Sequence, residues 1–235
     1  MTQQELRCLS FLRKDPLRHV QPLEALRHGT AEILAVQEDG LLLYDLKGQL
    51  HMLCADTAQA VRELLPVLPE VQVLVSDNSS MDGFIMRERG FKGSTVCSNV
   101  VYLKKEPPRV QTDLELRPLP LEMAQTVSRH YFIHSLEKIR DFIRQGRLLG
   151  GYRKETLVGF LGWHEEGSMG MLYVFEQYRR QGYAYAMEAL QINGMLSRGK
   201  LPYGQVAVGN DASLALQRRL GFTVADRTVS WLYSD

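Results

Sequence analysis

The chain has 235 residues, of which 45% are hydrophobic and 23% charged, and its net charge is +1. This composition is typical of a globular protein with one large or two small domains, and the small net charge excludes a general attraction to nucleic acid or anionic lipid. The polar N-terminal segment is not expected to be a signal peptide, and no apolar run has the length of a membrane span. The 3 cysteines lack metal-type spacing and indicate free thiols. We therefore expect a cytoplasmic protein that binds no metal, nucleic acid or membrane.

The first half of the chain predicts a mixture of helices and short strands. A helix with leucines on one face opens it, and Pro22 is expected to interrupt the helical pattern that follows. Asp56 or Thr57 is a candidate N-cap of a later helix, and Gly90 is expected to end another. The strands are predicted at 31–37, 41–45, 50–55, 71–76 and 94–103, and the two later helices at 56–68 and 79–91.

A polar segment containing Pro107 and Pro108 separates the two halves of the sequence. Apolar segments flank it on both sides, which is typical of a linker. We therefore predict an N-terminal domain over residues 1–104, a linker over 105–112 and a second domain over 113–235.

The second half predicts one strand, two helices, three strands, and then helices and strands in alternation. The segments are 113–119, 120–131, 135–146, 147–153, 156–164, 168–175, a helix after Gly182, 203–209, 212–220 and 222–233. Hairpin-connected strands mixed with helical crossovers predict an α/β fold whose mixed, mostly antiparallel sheet is flanked by helices.

Two segments of the chain resemble each other. "VQVLVSDNSSMDGFIMRERGF" and "GQVAVGNDASLALQRRLGF" each predict a strand, an Asn-bearing turn, a helix and a terminal Gly-Phe. We interpret the shared ending as a degenerate internal repeat, and a chance similarity of two αβ units is the alternative.

One strand-to-helix corner carries positive charge where an acidic or hydroxyl cap is usual. In "YVFEQYRRQGYAYAMEAL" the junction contains Arg179, Arg180 and Gly182, and no acidic residue lies between Tyr178 and Ala184. A helix N-terminus offers unpaired N–H groups and a partial positive charge, and a glycine lets an anion approach the backbone. The corner predicts a phosphate or pyrophosphate site, and a solvated basic turn is the ordinary alternative.

The surroundings of this corner resemble the GCN5-related N-acetyltransferase (GNAT) superfamily. In that family the pattern Gln/Arg-x-x-Gly-x-Gly/Ala binds the pyrophosphate of acetyl-CoA, and "LYVFEQYRRQGYAYA" followed by "GNDASLALQRRLGF" is similar to it over residues 113–235. The stretch "GSMGMLYVFEQYRRQG" is also similar to the glycine N-acyltransferase and FR47-like branch. The first half then looks like a degenerate, GNAT-like partial copy.

The resemblance implies three groups of residues around acetyl-CoA. One group would pair with the pantetheine arm, a second would hold the pyrophosphate, and a third would contact the cofactor near its thiol end. These are, in turn, Leu172, Tyr173 and Val174; Arg179, Arg180, Gln181, Gly182, Tyr183 and Ala184; and Asn210 and Ser213. The ordinary reading of Asn210 is a turn residue, and that of Ser213 is a first-turn helix residue. In the first half Asp56 occupies the matching anion position, so no second cofactor site is expected.

The catalytic groups depart from the family pattern. The position seven residues after Asn210, which holds a Tyr acid in many relatives, is Gln217. The position fourteen residues before Gly182, which holds a Glu base in many relatives, is Ser168. Glu166 would share a strand face with Ser168 if the strand extends that far, so we take Glu166 and His134 as the candidate bases, with His164 as another candidate. Alternatively, Glu166 only solvates a hairpin turn.

These features predict an N-acyltransferase that moves an acetyl or short acyl group from acyl-CoA to a primary amine of a small molecule or amino acid. The segment 130–147 would frame the acceptor pocket, by resemblance. A non-catalytic acyl-CoA sensor on the same fold is the first alternative, and an interaction module without a cofactor is the second. The sequence leaves a homodimer open.

Overall fold

The chain was analysed as a computed structural model that describes residues 2–131 and 133–234. It divides into two compact units. The first unit contains Met1–Val101, Gln205–Leu214 and Thr223–Asp235, and the second contains Tyr102–Gly204 and Ala215–Phe222. The predicted domains at 1–104 and 113–235 stay predictions, and the compact units divide the chain differently because two C-terminal segments cluster with its first 101 residues.

The elements of the described residues are as follows. The helices are α1 Gln3–Leu12, α2 Val20–Arg27, α3 Ala58–Leu64, α4 Asp82–Arg89, α5 Ala124–His130, α6 Leu136–Arg144, α7 Tyr183–Leu196 and α8 Asp211–Leu220. The strands are β1 Ala31–Val36, β2 Gly40–Asp45, β3 Leu50–Ala55, β4 Val73–Ser76, β5 Gly93–Val101, β6 Leu114–Pro118, β7 Leu148–Arg153, β8 Thr156–Trp163, β9 Met169–Val174, β10 Tyr203–Ala207 and β11 Thr223–Tyr233.

The first unit is built on strands in the order β1-β2-β3-β4-β11-β5. Only β3 and β4 run parallel within this set, and the other neighbouring pairs are antiparallel. Side chains alternate between the two faces, as the pleat requires. Leu41 and Leu43 pack in the cluster that includes Phe11 of α1, whereas Leu42 packs in the cluster that includes Leu64 of α3. Helices therefore cover both faces.

The second unit carries β6-β7-β8-β9 in antiparallel order, and β10 pairs in parallel with β9 at Gly204 and Met169. Phe142 of α6 and Val127 of α5 are buried against one face together with Phe160. Met187 of α7 is buried against the other face with Leu161. The end of β9 and the start of α7 thus lie at one corner of a two-sided α/β layer.

The predicted elements agree with the structure in type and order, apart from the segment around Pro22. Pro22 does not end the helical pattern but lies in the first turn of α2, where its missing N–H would be unpaired in any case. The segment 222–233 was expected to form one or two strands, and it forms the single strand β11. Among the described residues, no helix is long and apolar enough to cross a membrane.

Candidate functional site

The turn between β9 and α7 places an open helix N-terminus in the second unit. A short 3₁₀ turn at Glu176–Tyr178 ends β9, and Gly182 is the N-cap of α7 with φ of 83°. The N-cap makes no side-chain hydrogen bond, and the first turn of α7 contains no acidic residue. A Cβ built on Gly182 would meet none of the described atoms within 4 Å beyond its chain neighbours. The space beside the N-terminus of α7 at Gly182 is therefore open to an anion.

The side chains of the turn are not all directed to this space. Arg179 donates its Nε–H to the carbonyl oxygen of Val174 at 3.1 Å, and its guanidinium lies 5.2 Å from the ring centroid of Tyr173. Gln181 donates to the carbonyl oxygen of Gln177 at 3.2 Å. The backbone, and not the Arg179 side chain, is thus the group that the turn presents to an anion.

Strand β9 is irregular just before this turn. Met171 has a left-handed backbone with φ of 57°, and the register with β8 shifts between Phe160 and Gly162. This is a β-bulge, a device that redirects side chains and is common beside active sites. Beyond it, Tyr173 packs on the side of α5 and α6, and Leu172 packs on the side of α7.

Two histidines and a tyrosine meet on the α5 and α6 side of the second unit. The Tyr131 hydroxyl lies 3.2 Å from Nε2 of His164, and Nε2 of His134 lies 3.4 Å from Nδ1 of His164. Burial lowers the pKa of both imidazoles to about 4. His130 stacks on Tyr173 with ring centroids 4.1 Å apart. His134 and His164 are therefore neutral at neutral pH, and His130, the neighbour of Tyr131, contacts β9.

The hairpin turn between β8 and β9 contains the other predicted base. Strand β9 begins at Met169, so the condition under which Glu166 would share a strand face with Ser168 is not met. Glu166 lies in the turn, where its carboxylate accepts a hydrogen bond from the Ser168 hydroxyl. Its backbone carbonyl accepts a hydrogen bond from the Tyr203 hydroxyl at 3.0 Å. The neighbouring Glu165 forms an ion pair with Lys138 at 2.7 Å.

A buried carboxylate on α7 is the functional candidate that the sequence reading missed. Glu188 is 5% exposed, and both its oxygens lie within 3.0 Å of the amide nitrogen of Gln217. Burial raises the pKa of Glu188 to about 7, although the hydrogen bond from Gln217 lowers it. The signal was present in the sequence, since Glu188 is the one charged residue in the fourteen residues of α7.

Comparison with known proteins adds the fold family to this geometry. Residues 148–232 match the model of the FR47-like protein family, and a search of curated proteins found no match. A solved Drosophila protein has a TM-score of 0.65 at 16% identity, over 99% of this chain and 96% of that one. A GNAT-family acetyltransferase from Colwellia psychrerythraea has a TM-score of 0.53 at 15% identity, over 96% and 97%. A GCN5-related N-acetyltransferase-like protein from Streptococcus suis has a TM-score of 0.53 at 16% identity, over 97% of this chain and 99% of that one.

The chain has a GNAT fold. The resemblance to the GNAT superfamily and to its FR47-like branch is thereby confirmed, as is the mixed, mostly antiparallel fold class. Because these solved structures share at most 16% identity with the chain, they support the fold and leave the roles of individual residues as predictions.

Two residues predicted at the thiol end of the GNAT cofactor have a local structural role. Asn210 follows Gly209, whose φ is 92°, and its side-chain oxygen accepts a hydrogen bond from the Ser213 N–H at 3.1 Å. This contact caps the first turn of α8. The ordinary reading of Asn210 as a turn residue thus holds, and its contact with the cofactor stays a prediction.

The charges predicted on the acceptor segment pair with one another. Arg140 lies 3.1 Å from Glu137, and Arg144 lies 2.8 Å from Asp141, all on the exposed side of α6. Such pairs are typical of the solvated face of an amphipathic helix. They provide no separate evidence for a pocket.

In the first unit, the turn between β3 and α3 is the position that matches the α7 corner, and the chain's own side chains fill it. The guanidinium of the buried Arg18 lies 2.7 Å from the carboxylate of Asp56 and 2.9 Å from that of Asp77. It also donates to the carbonyl oxygen of Ala55 at 2.8 Å, at the end of β3. Nε2 of His19 lies 2.8 Å from Oδ2 of Asp77. An anion at this corner would have to displace Asp56 from Arg18. The expectation that the first half has no second cofactor site stays a prediction.

Three metal-ligating residue types also meet in this cluster. His19, Cys54 and Asp77 each place one ligand atom within 4.8 Å of the other two. Burial raises the pKa of the Cys54 thiol well above its ordinary value, and the guanidinium of Arg18 already binds the Asp77 carboxylate. A protonated thiol and an adjacent cation both oppose metal binding, so the geometry fits a buried ion-pair cluster.

Proposed function

We propose that the chain is an N-acyltransferase that moves an acetyl or short acyl group from acyl-CoA to the primary amine of a small molecule or amino acid. The observation that carries this proposal is the open N-terminus of α7 at Gly182, directly after the bulged strand β9 of a GNAT fold. The helix has no acidic cap that would repel the substrate phosphates.

We place the acyl-CoA substrate on the residues that the turn and the strand present. The backbone of Arg179, Arg180, Gln181, Gly182, Tyr183 and Ala184 would hold the pyrophosphate. Leu172, Tyr173 and Val174 would pair with the pantetheine arm as an added strand does. Asn210 and Ser213 would contact the cofactor near its thiol. The left-handed backbone of Arg180, with φ of 60°, supports this placement because successive turn N–H groups can then converge on one anion.

The reaction needs one group that accepts a proton, and it can proceed without a general acid for the leaving thiolate. The amine must lose a proton before it attacks the thioester. Among the residues predicted from the sequence, His134 and Glu166 can accept it, directly or through another group. The leaving thiol ionises near pH ~8.5, so the thiolate can depart without the acid that Gln217 replaces.

The proposal also covers the cellular compartment and the N-terminal region. The three cysteines are buried free thiols, which suits a reducing cytoplasm. The N-terminal region over residues 1–104 would be a structural, GNAT-like copy without its own cofactor, because Arg18 holds Asp56 at the matching corner.

Two measurements on the full chain test the proposal. Isothermal titration should detect binding of acetyl-CoA or a short acyl-CoA, and a ligand at a hundredfold excess over its Kd should stabilise the fold by about 2.7 kcal/mol. Thiol release should then be measured with a panel of amines and amino acids. Absence of binding by every CoA species would refute the proposal, and binding without thiol release would replace the enzyme by an acyl-CoA sensor.

A further inference from the structure

We propose that Tyr131, His164 and His134 form a directed proton relay, with Tyr131 as the catalytic residue that receives the proton of the acceptor amine. This inference rests on the proposed function and identifies the path that the proton takes. The two histidines act through Tyr131 and are therefore positioning residues.

The three groups form a continuous hydrogen-bonded chain from three separate elements. Tyr131 follows the end of α5, His134 precedes α6, and His164 follows β8. The Tyr131 hydroxyl lies 3.2 Å from Nε2 of His164, and Nδ1 of His164 lies 3.4 Å from Nε2 of His134. Both ring nitrogens of His164 are thus engaged, so it connects the other two groups.

Neutral imidazoles allow this chain two directions, and the proposed relay uses the one in which Tyr131 donates. A neutral imidazole has one N–H donor and one acceptor nitrogen. When the Tyr131 hydroxyl donates to Nε2 of His164, Nδ1 must carry the proton and donate to Nε2 of His134. A proton that reaches Tyr131 can then be passed on in two steps, and each bond reverses as it passes.

The surroundings keep both imidazoles in the neutral form that the chain needs. Burial, His164 and the Lys138 ammonium lower the pKa of His134 to about 4, and Glu165 opposes this effect. Burial and the Arg147 guanidinium lower the pKa of His164 to about 4, and Glu165 again opposes it. A doubly protonated imidazole would donate from both nitrogens and could not accept the next proton.

A glycine in β9 makes room for the relay beside the proposed acyl-CoA strand. A Cβ built on Gly170 would overlap Nε2 of His164, the atom that faces Tyr131. The next residue of β9 is Met171, at the bulge. His130, the neighbour of Tyr131, stacks on Tyr173 of the same strand. The relay therefore lies beside β9, the strand that would pair with the pantetheine arm of acyl-CoA.

The reaction balances with this relay and water. The acceptor ammonium gives one proton to Tyr131 Oη, while the Tyr131 proton moves to Nε2 of His164, the Nδ1 proton of His164 moves to Nε2 of His134, and His134 releases its Nδ1 proton to water. The neutral amine forms the C–N bond to the thioester carbonyl, and the C–S bond breaks. The second nitrogen proton passes to the CoA thiolate, so the products are an amide, free CoA and one proton in solution. After the products leave, one proton moves back along the same chain from water at His134 to water in the emptied acceptor site, which restores the starting tautomers.

The first test measures the arrangement without any turnover. Side-chain ¹⁵N NMR of the full chain at pH 6 should show His134 and His164 neutral, with His164 protonated on Nδ1. Tyr131→Phe should shift the Nε2 resonance of His164, and Gly170→Ala should do the same because its methyl group displaces the ring. A charged His164 at pH 6, or an Nε2 signal that neither variant moves, would overturn the proposal.

The second test measures turnover with the amine that gives the fastest thiol release in the panel. Tyr131→Phe should lower kcat by about a hundredfold, the lower range for a positioned base, with unchanged acetyl-CoA affinity. His134→Ala should lower kcat, and free imidazole should restore part of the loss in this variant but not in Tyr131→Phe. If the parent turns over and Tyr131→Phe keeps its kcat within twofold, the relay fails while the proposed function stands. If the parent turns over no amine, both fail.

Discussion

Replacement of the buried Glu188 by Gln should stabilise the protein, and the gain should grow with pH. The carboxyl group of Glu188 lies between α7 and Gln217 at 5% exposure, and burial raises its pKa from the ordinary 4.5 to about 7. The folded state therefore binds this proton more tightly than the unfolded chain does. The Glu188 carboxyl group contributes most to the free energy of unfolding below pH 4.5, and this contribution is lost as the pH rises to 7. The Glu188→Gln variant has no such loss.

The size of the effect follows from the pKa difference. Each unit of pKa corresponds to about 1.4 kcal/mol, so the shift from 4.5 to about 7 corresponds to a stability loss of roughly 3 kcal/mol above pH 7. The protonated carboxyl group and the side-chain amide of the Glu188→Gln variant can each keep one hydrogen bond to Gln217. The variant should therefore match the parent near pH 4.5 and be more stable than the parent by roughly 3 kcal/mol at pH 8.

Urea unfolding followed by circular dichroism at several pH values between about 5 and 8.5 measures this difference. Glu88→Gln, an exposed change on α4, is the matched control and should show a difference independent of pH. A flat difference for Glu188→Gln across the same range would show that the carboxyl group is solvated or paired in the folded state, and would refute the reasoning.

Three further predictions concern the α7 corner at Gly182, the buried Arg18 cluster and the β8–β9 turn. Gly182→Val should weaken acetyl-CoA binding by at least tenfold because its side chain enters the anion space. Gly90→Val imposes similar left-handed strain at φ of 75° in the first unit and should leave the acetyl-CoA affinity measured by titration calorimetry unchanged. Equal affinities of the two variants would show that the corner is only a turn. Arg18→Met should lower the free energy of unfolding, measured in urea, by about 3–5 kcal/mol because Asp77 loses its buried partner. The exposed change Arg140→Ala should alter it by less than about 1 kcal/mol. Similar losses in the two variants would contradict the buried ion pair of Arg18 and Asp77. Glu166→Gln should lower kcat less than Tyr131→Phe does, and a loss of equal size would move the base to Glu166.

Local sequence patterns predicted most of the fold because helices and strands follow from side-chain periodicity and turn chemistry. The helix ended by Gly90 and the cap at Thr57 are both present, with φ of 75° at the glycine and a hydrogen bond from Ala60 N–H to the threonine hydroxyl. The open corner at Gly182 was predicted for the same reason. Its signal lies within a few consecutive residues.

The features that were missed depend on contacts between distant residues. Met171 has no intrinsic preference for a left-handed backbone, so the bulge in β9 is set by its pairing with β8 and left no signal. The pair of Glu188 and Gln217 joins positions 29 residues apart in the chain. The arrangement of His134 and His164 required the packing of α6 against the sheet, whereas the sequence could only name both residues as candidates.

The position of β11 has a consequence for how the protein is made. This strand pairs with β4 on one side and with β5 on the other, yet it is synthesised more than a hundred residues after both. At about 5–20 residues per second, the wait is on the order of ten seconds. During that time the nascent chain exposes strand edges that can pair with another molecule. Folding of the first unit is therefore completed late, and premature release or truncation before residue 223 should favour aggregation over a stable N-terminal fragment.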